Sequence, residues 1–308
     1  MRVFVTGATG FIGSAVVRDL LEAGHTVVGL ARSDTAAATL TAAGAQAHRG
    51  SLDDPGSLHD GAVAADGVIH LAYCHDFSDR AAFAEAAELD LRAVETLGKA
   101  LEGTGKPLVV TLGTLPVAGL APGRTATEEI RPEPGTDSPR LVSENAAMEL
   151  AGRGVRASVI RLAPSVHGEG DRGFVPLLID SARAKGVSAY LGDGSNRWPA
   201  VHRRDAARLF RLALEAAPAG SVLHGVAEEA VPFRDIAETI GRHLGVPAAG
   251  IPAGEAAAHF GFLAGMVPID NPTSSTLTRK LLGWDPAHPT LLQDLEAGHY
   301  FTGRTSIF

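Results

Sequence analysis

A single cysteine, Cys74, occurs in 308 residues. That excludes an internal disulfide framework and any zinc site built on cysteines, and it suits a reducing compartment. Basic charge is short as well. The formal net charge is −8, so there is no electropositive footprint for nucleic acid. Lysine is scarcest, with four against 23 arginines, so a lysine missing from any one position says little by itself. No apolar run approaches the roughly 18 residues of a membrane helix. No secretory leader is expected ahead of a glycine-rich turn that begins at Gly7. Aromatics make up only 5% of the chain and apolar residues 45%, which favours helices packed closely on a sheet. No grouping of His, Asp and Glu has metal-ligand spacing, so no metal is expected. A cytoplasmic α/β protein remains, large enough to bury a core without staples.

What is present alternates. "MRVFVTG" is a short buried strand, and "FIGSAVVRDLLEAGH" follows with Ile12, Val16, Leu20 and Leu21 at helical spacing and Gly24 as a stop. Strands are expected at "TVVGLAR", "DGVIHLAY", "PLVVTLGT" and "RASVIRLAP", with helices between them. The pattern predicts an α/β fold, a Rossmann-type doubly wound parallel sheet. After Pro164 glycine- and proline-rich loops separate shorter helices, while "RRDAARLFRLALEAA" and "GSVLHGVA" look like a helix and a strand returning to the sheet. The expected division is a dinucleotide-binding unit over residues 1–165, rejoined by 201–228. Residues 166–200 and 229–308 would form a smaller, interleaved substrate-binding region.

The first turn carries the strongest chemistry. In "TGATGFIG", Gly7 permits the tight turn, Gly10 lets backbone approach a pyrophosphate, and Gly13 lets helix and strand close on each other. The helix N-terminus offers N–H groups and partial positive charge. At the end of the second strand an NAD enzyme keeps a carboxylate for the ribose hydroxyls. Ala31 is followed instead by Arg32 and Ser33. Arg32 can pair with a 2′-phosphate and stack on adenine, so NADP(H) is preferred over NAD. A solvated loop arginine is the alternative.

The strand–"TGATGFIG"–helix opening resembles the extended short-chain dehydrogenase/reductase family, and the likeness runs along nearly the whole chain. "HRGSLDD" resembles the adenine-contacting turn, with Ser51 where Asp is usual. "VIHLAY" resembles the strand end beneath phosphates and ribose, and "VVTLGT" the strand that carries a catalytic Ser or Thr. "IRLAPSVHGEG" resembles the loop beside the nicotinamide, while "WPAVHRRDAARL" and "LGWDP" match later landmarks. The resemblance implies a cofactor held by Gly7, Thr9, Gly10, Phe11, Ile12 and Gly13. Further contacts would come from Arg32, Ser33, Ser51 and Leu52, from Leu71, Ala72 and Tyr73, and from Thr111, Pro164 and Val166.

One stretch departs from that family. In "SPRLVSENAAMEL", Arg140 stands where the family keeps its proton-donating Tyr, and Glu144 where it keeps a Lys. Leu112 and Gly113 fall where hydroxyls are usual. The family's Tyr protonates the carbonyl oxygen as hydride arrives, and its Lys lowers the Tyr pKa and holds the ribose. Arginine cannot act as an acid near neutrality. Four residues apart on a helix, Arg140 and Glu144 read as a structural ion pair or a substrate contact. Substitute groups are Thr114, which could hydrogen-bond a substrate carbonyl, and Tyr73 and His75 with Asp76 beyond the third main strand. Tyr73 is expected to touch substrate or nicotinamide. His75 is a possible acid or a plain loop histidine. His167 and His202 read as structural or substrate-lining, and Cys74 as a small buried hydrophobe. Phe174, Trp198 and Phe260 read equally as substrate walls or small-domain core, with Asn196 and Arg197 as polar contacts.

The expected function is NADPH-dependent reduction of a carbonyl on a small organic substrate, with bulky polycyclic natural products among the candidates, as in the dyad-lacking branch of the family. The proton would come from water, from the substrate's own hydroxyl or from a substitute side chain. A regulatory protein that holds NADP(H) without turnover, or an epimerase or dehydratase of the same family, are the alternatives. The partner is a small molecule, with no nucleic acid or membrane, and the chain is a monomer or homodimer.

Overall fold

A computed structural model describes residues 1–74, 80–136 and 138–302. Its strands are β1 (Arg2–Thr6), β2 (Thr26–Ala31), β3 (Gln46–Arg49), β4 (Gly67–His70), β5 (Pro107–Gly113), β6 (Arg156–Leu162), β7 (Ser165–His167), β8 (Ser188–Leu191), β9 (Arg197–His202), β10 (Ser221–Gly225), β11 (Glu228–Pro232) and β12 (Ala248–Ile251). Seven form one sheet in the order β10-β6-β5-β4-β1-β2-β3. Every pairing in it is parallel. All seven C-terminal strand ends therefore lie along one edge.

Alternation along each strand builds two cores. Val3, Val5, Val109 and Ile160 face one side with helices Phe11–Glu22 and Arg203–Ala216. Phe4, Leu108, Val110 and Val159 face the other with helices Pro55–Val63, Arg80–Leu101 and Pro139–Glu149. This is the doubly wound arrangement expected from the sequence. The first helix buries Gly13, Val16, Val17 and Leu20. Each of its three branched side chains contributes about 1.5–3 kcal/mol of transfer free energy.

After β6 the chain leaves the sheet. β7 pairs with β9 and β9 with β11, and β8 pairs with β12. The chain returns once: helix Arg203–Ala216 packs on the first helix, and β10 adds to β6. The remaining elements close a second core around Trp198, Phe233, Phe260, Leu263 and Tyr300. Two elements of the main unit carry little sequence signal. β3 is polar, "QAHR", as befits an edge strand. Helix Pro55–Val63 is marked mainly by Asp54, whose side chain accepts from Ser57 N, and by Pro55 after it. No helix among the described residues is long and apolar enough to cross a membrane.

Candidate active site

The turn after β1 is shaped by what cannot be there. Gly7 has φ +68°, and a Cβ on it would lie 2.7 Å from Ala72 N. A Cβ on Gly13 would sit 2.0 Å from Gly7 O, so the first helix closes on the turn only because residue 13 has no side chain. Gly10 is exposed and caps the helix with no side-chain acceptor for the first N–H groups. Those donors therefore remain available to an anion. Thr9 lies exposed on the turn, and Phe11 and Ile12 are part-buried behind it. This backbone cradle fits the pyrophosphate of a dinucleotide.

Arg32 and Ser33 are exposed at the end of β2. The Ser33 hydroxyl caps the next helix by accepting from Ala36 N at 3.2 Å. Ser51 hydrogen-bonds the exposed Asp53 carboxyl and, with backbone and the nearby Arg32 charge, holds it below the ordinary range. Leu52 packs on the second core cluster. Arg32 thus stands near carboxylates, Asp34, Asp53 and Asp54, that are all solvent-exposed.

Strand order reverses between β1 and β4, which opens the crevice where ligands bind in such sheets. A chain of polar groups crosses it. Thr6 Oγ1 accepts from Leu71 N and Ala72 N, each at 3.2 Å, and lies 2.7 Å from His70 Nδ1. With both N–H groups on its oxygen, the Thr6 hydroxyl donates to Nδ1. That leaves the His70 Nε2 proton facing Asp90 Oδ1 at 3.4 Å. Asp90 Oδ2 meets Arg140 Nη1 at 2.7 Å. Arg140 Nη2 donates to Thr111 O at 2.8 Å, and its guanidinium lies 4.1 Å from the centroid of the Tyr73 ring. Asp90 is 2% exposed. Burial pushes its carboxyl upward, but the His70 hydrogen bond and the Arg140 charge outweigh that and hold it below the ordinary range. Burial raises the Tyr73 phenol, against the pull of Arg140.

Arg140 and Glu144 therefore do not pair with each other. Glu144 is fully buried and takes both oxygens to Arg161 on β6, at 2.9 Å from Nε and in a second contact to Nη2. Arg161 also donates to Ile130 O at 2.8 Å and contacts His224 Nε2 at 3.2 Å, while His224 Nδ1 donates to Ser274 O. Burial and the Arg161 charge push His224 down to about 3, so it stays neutral. The i,i+4 spacing put the two side chains on one face, but a stronger partner was waiting for each: a buried carboxylate for the arginine and a buried arginine for the carboxylate.

Several other expectations are resolved by position. Thr114 is 1% exposed, and its hydroxyl accepts from Asn271 Nδ2 at 2.8 Å. Thr111 donates to His70 O at 2.7 Å and ties β5 to β4. The Tyr73 hydroxyl is buried. His75 and Asp76 lie outside the described residues. Cys74 is exposed, not buried, because β4 ends at His70 and the chain has left the core. Pro164 and Val166 are part-buried where β6 passes into β7. His167 is buried against Asp294 at 2.9 Å, and His202 caps helix Arg203–Ala216 through Arg204 N. Trp198, Phe260 and Phe174 belong to the second core, with Trp198 stacked edge-on to Phe233. Asn196 and Arg197 are engaged with Val267 O and Asp270, which pins the segment 267–271. Asp205, His202 and His288 come within 4.8 Å of one another. The two imidazoles stack nearly parallel, at 11°, so their lone pairs lie in separate planes and do not converge on one ion. Asp205 instead holds Ala287 N, His288 N and His288 Nδ1.

Sequence reasoning missed Asp90, His70 and Asn271. Asp90 left a trace: it interrupts the apolar stripe Ala86, Ala87, Ala93, Val94, Leu97 of its helix, where a carboxylate is stable only with a partner.

The fold and the crevice define a nicotinamide-dinucleotide enzyme of the short-chain dehydrogenase/reductase type, an oxidoreductase or epimerase. Residues 3–224 match the model of the NAD dependent epimerase/dehydratase family, and the chain belongs to that family. An uncharacterized protein of Schizosaccharomyces pombe is 51% identical over 98% of this chain and 100% of its own length. A 2-alkyl-3-oxoalkanoate reductase of Stenotrophomonas maltophilia is 28% identical over 80% of this chain and 77% of its own. Among solved structures, a dTDP-glucose 4,6-dehydratase of Streptomyces venezuelae, with NAD bound, superposes with a TM-score of 0.76. It covers 99% of this chain and 98% of its own at 22% identity.

Proposed function

We propose that this protein is a cytoplasmic, NADPH-dependent reductase of a ketone on a small organic substrate, in which Arg140 polarises the carbonyl. The observation that carries this is the placement of Arg140. It stands where the family keeps its acid, fixed by Asp90 and the Thr111 carbonyl, with the Tyr73 ring on its face. The glycine turn would hold the pyrophosphate, and Arg32 would meet a 2′-phosphate that a carboxylate there would repel. When bound, the reduced dinucleotide supplies hydride.

The chain's own part is orientation and electrostatics. Of the five N–H donors of Arg140, one is spent on the Thr111 carbonyl, while Nη1 lies in ionic contact with Asp90. A further donor aimed at a carbonyl oxygen is worth most once negative charge gathers there. The guanidinium does not release its proton, so the new hydroxyl takes one from water or from an acidic group of the substrate. An epimerase or dehydratase needs a positioned base, and neither Arg140 nor the Arg161-bound Glu144 serves as one. The reductase relative acts on 2-alkyl-3-oxoalkanoates by name, which supports a ketone as the group reduced; bulkier polycyclic ketones belong on the same panel.

The test is NADPH oxidation by the purified chain against 2-alkyl-3-oxoalkanoates, their esters and polycyclic ketones. Turnover of a panel member is expected, with Arg140→Met lowering kcat by about 10²–10³-fold. Tight NADPH binding without oxidation across the panel would overturn the reading.

A further inference from the structure

A bare guanidinium facing a substrate crevice is a carboxylate clamp, because its planar fork matches two oxygens at once. Arg140 is not bare. Its charge is already answered from inside the protein by Asp90, 2.7 Å away and 2% exposed. We propose that Asp90 sets the substrate class: by neutralising Arg140 from the core, it tunes the site for an uncharged ketone and against a free carboxylate. This rests on Arg140 being the group that meets the carbonyl.

Three features carry it. First, the fork is occupied. Nη1 lies 2.7 Å from Asp90 Oδ2, Nη2 donates to the Thr111 carbonyl, and one face is covered by Tyr73 at 4.1 Å. A substrate carboxylate would have to share the guanidinium charge with Asp90, whereas a ketone oxygen needs one remaining N–H and no net charge. Second, the Asp90 carboxylate is held in place. His70 faces its Oδ1 at 3.4 Å, and the carboxyl is anchored through His70 to Thr6 on β1. Displacing the guanidinium would strand a buried anion, which is strongly unfavourable. Third, one turn along the same helix, where the family keeps a lysine, stands Glu144, whose charge is cancelled by Arg161.

The decisive comparison uses the full chain and two ligands that share the 3-oxo group, one neutral and one charged: ethyl 2-methyl-3-oxobutanoate and the free 2-methyl-3-oxobutanoate anion. The wild-type protein should favour the ester in kcat/KM by about tenfold or more. Asp90→Asn, which keeps shape and removes charge, should move that ratio toward the anion by a similar factor. A wild type that prefers the anion, or a ratio unchanged in the variant, overturns the proposal. The wild-type ratio decides alone should the variant not fold.

Two readouts do not need turnover. Calorimetric titration of the anion into the NADP⁺-saturated protein should give binding about tenfold tighter in Asp90→Asn; equal affinities count against the proposal. The Tyr73 phenol, assigned by its loss in Tyr73→Phe, should titrate at lower pH in Asp90→Asn, since removing the carboxylate leaves Arg140 unopposed beside the ring. An unmoved phenol overturns the charge balance invoked here. If no ketone on any panel is reduced, the reductase reading fails, and these two measurements still decide the role of Asp90.

Discussion

Thr6 and His70 are register partners on β1 and β4, and their side chains meet at 2.7 Å across the crevice where strand order reverses. One hydroxyl there does three things. It receives the N–H groups of Leu71 and Ala72 and passes its own proton to the imidazole. Thr6→Val keeps the shape and leaves two backbone donors and one ring nitrogen unmet. A loss of about 1–3 kcal/mol in urea unfolding is expected, together with weaker dinucleotide binding, because Ala72 N lies against Gly7. Thr6→Ser should restore both. A stable Thr6→Val with unchanged cofactor affinity would show the hydroxyl to be dispensable.

The preference for a phosphorylated dinucleotide should reside in Arg32. In Arg32→Ala the dissociation constant for NADPH is expected to rise about 10- to 100-fold, while that for NADH changes little, since a charge-assisted phosphate contact is worth roughly 1.5–3 kcal/mol. Fluorescence titration of both cofactors measures the ratio. Parallel weakening of the two would assign Arg32 to adenine stacking alone.

Removing one partner of the Glu144–Arg161 pair should cost far more than replacing both. Both groups are fully buried. Glu144→Gln strands a charge, with about 3–5 kcal/mol of stability lost, while the double change Glu144→Leu with Arg161→Met recovers most of it. Chemical denaturation reads the cycle. Additive losses would mean that the pair is not the coupled unit its geometry describes.

Asp171 gives a pH signature. Burial pushes its carboxyl up from 3.8 to about 6, against hydrogen bonds from Gly173 N and the Tyr300 hydroxyl. The folded state therefore holds a proton that the unfolded chain has lost, and this contribution shrinks as pH rises from about 4 through about 6. His224 and His202, held neutral near 3 and 4, act in the opposite sense and cost stability as pH falls below 6.5. Comparing Asp171→Asn with wild type isolates the carboxyl, because the histidines are common to both. Wild type should gain on the variant by up to about 3 kcal/mol between pH 7 and pH 4. A constant difference across that range would rule the linkage out.

The sheet was legible because its strands are short apolar runs between glycine turns, and because a glycine triplet after the first strand has few other uses. The returning helix Arg203–Ala216 was legible from its apolar stripe, and β10 from its short run. The edge strand β3 was not, since an edge can be polar. The acid end was half legible. Sequence spacing showed that the usual proton donor was missing, and it put Arg140 and Glu144 on one face. It could not show that Asp90, 50 residues earlier in the chain, and Arg161, on the next strand, would separate them. Pairing between charges distant in sequence is decided by which strands neighbour each other, and only the fold supplies that. The same holds for Thr114 and Asn271, brought together across 157 positions of the chain.

The late return of β10 bears on how the protein is made. β6 emerges from the ribosome with one edge bare, and the strand that covers it is not complete until Gly225. Everything from β7 to helix Arg203–Ala216 must be synthesised first. A nascent chain halted before that point carries an open parallel-sheet edge flanked by apolar residues, the kind of surface on which chaperones act. The seven-stranded sheet therefore cannot be completed until the whole excursion between β6 and β10 has been made.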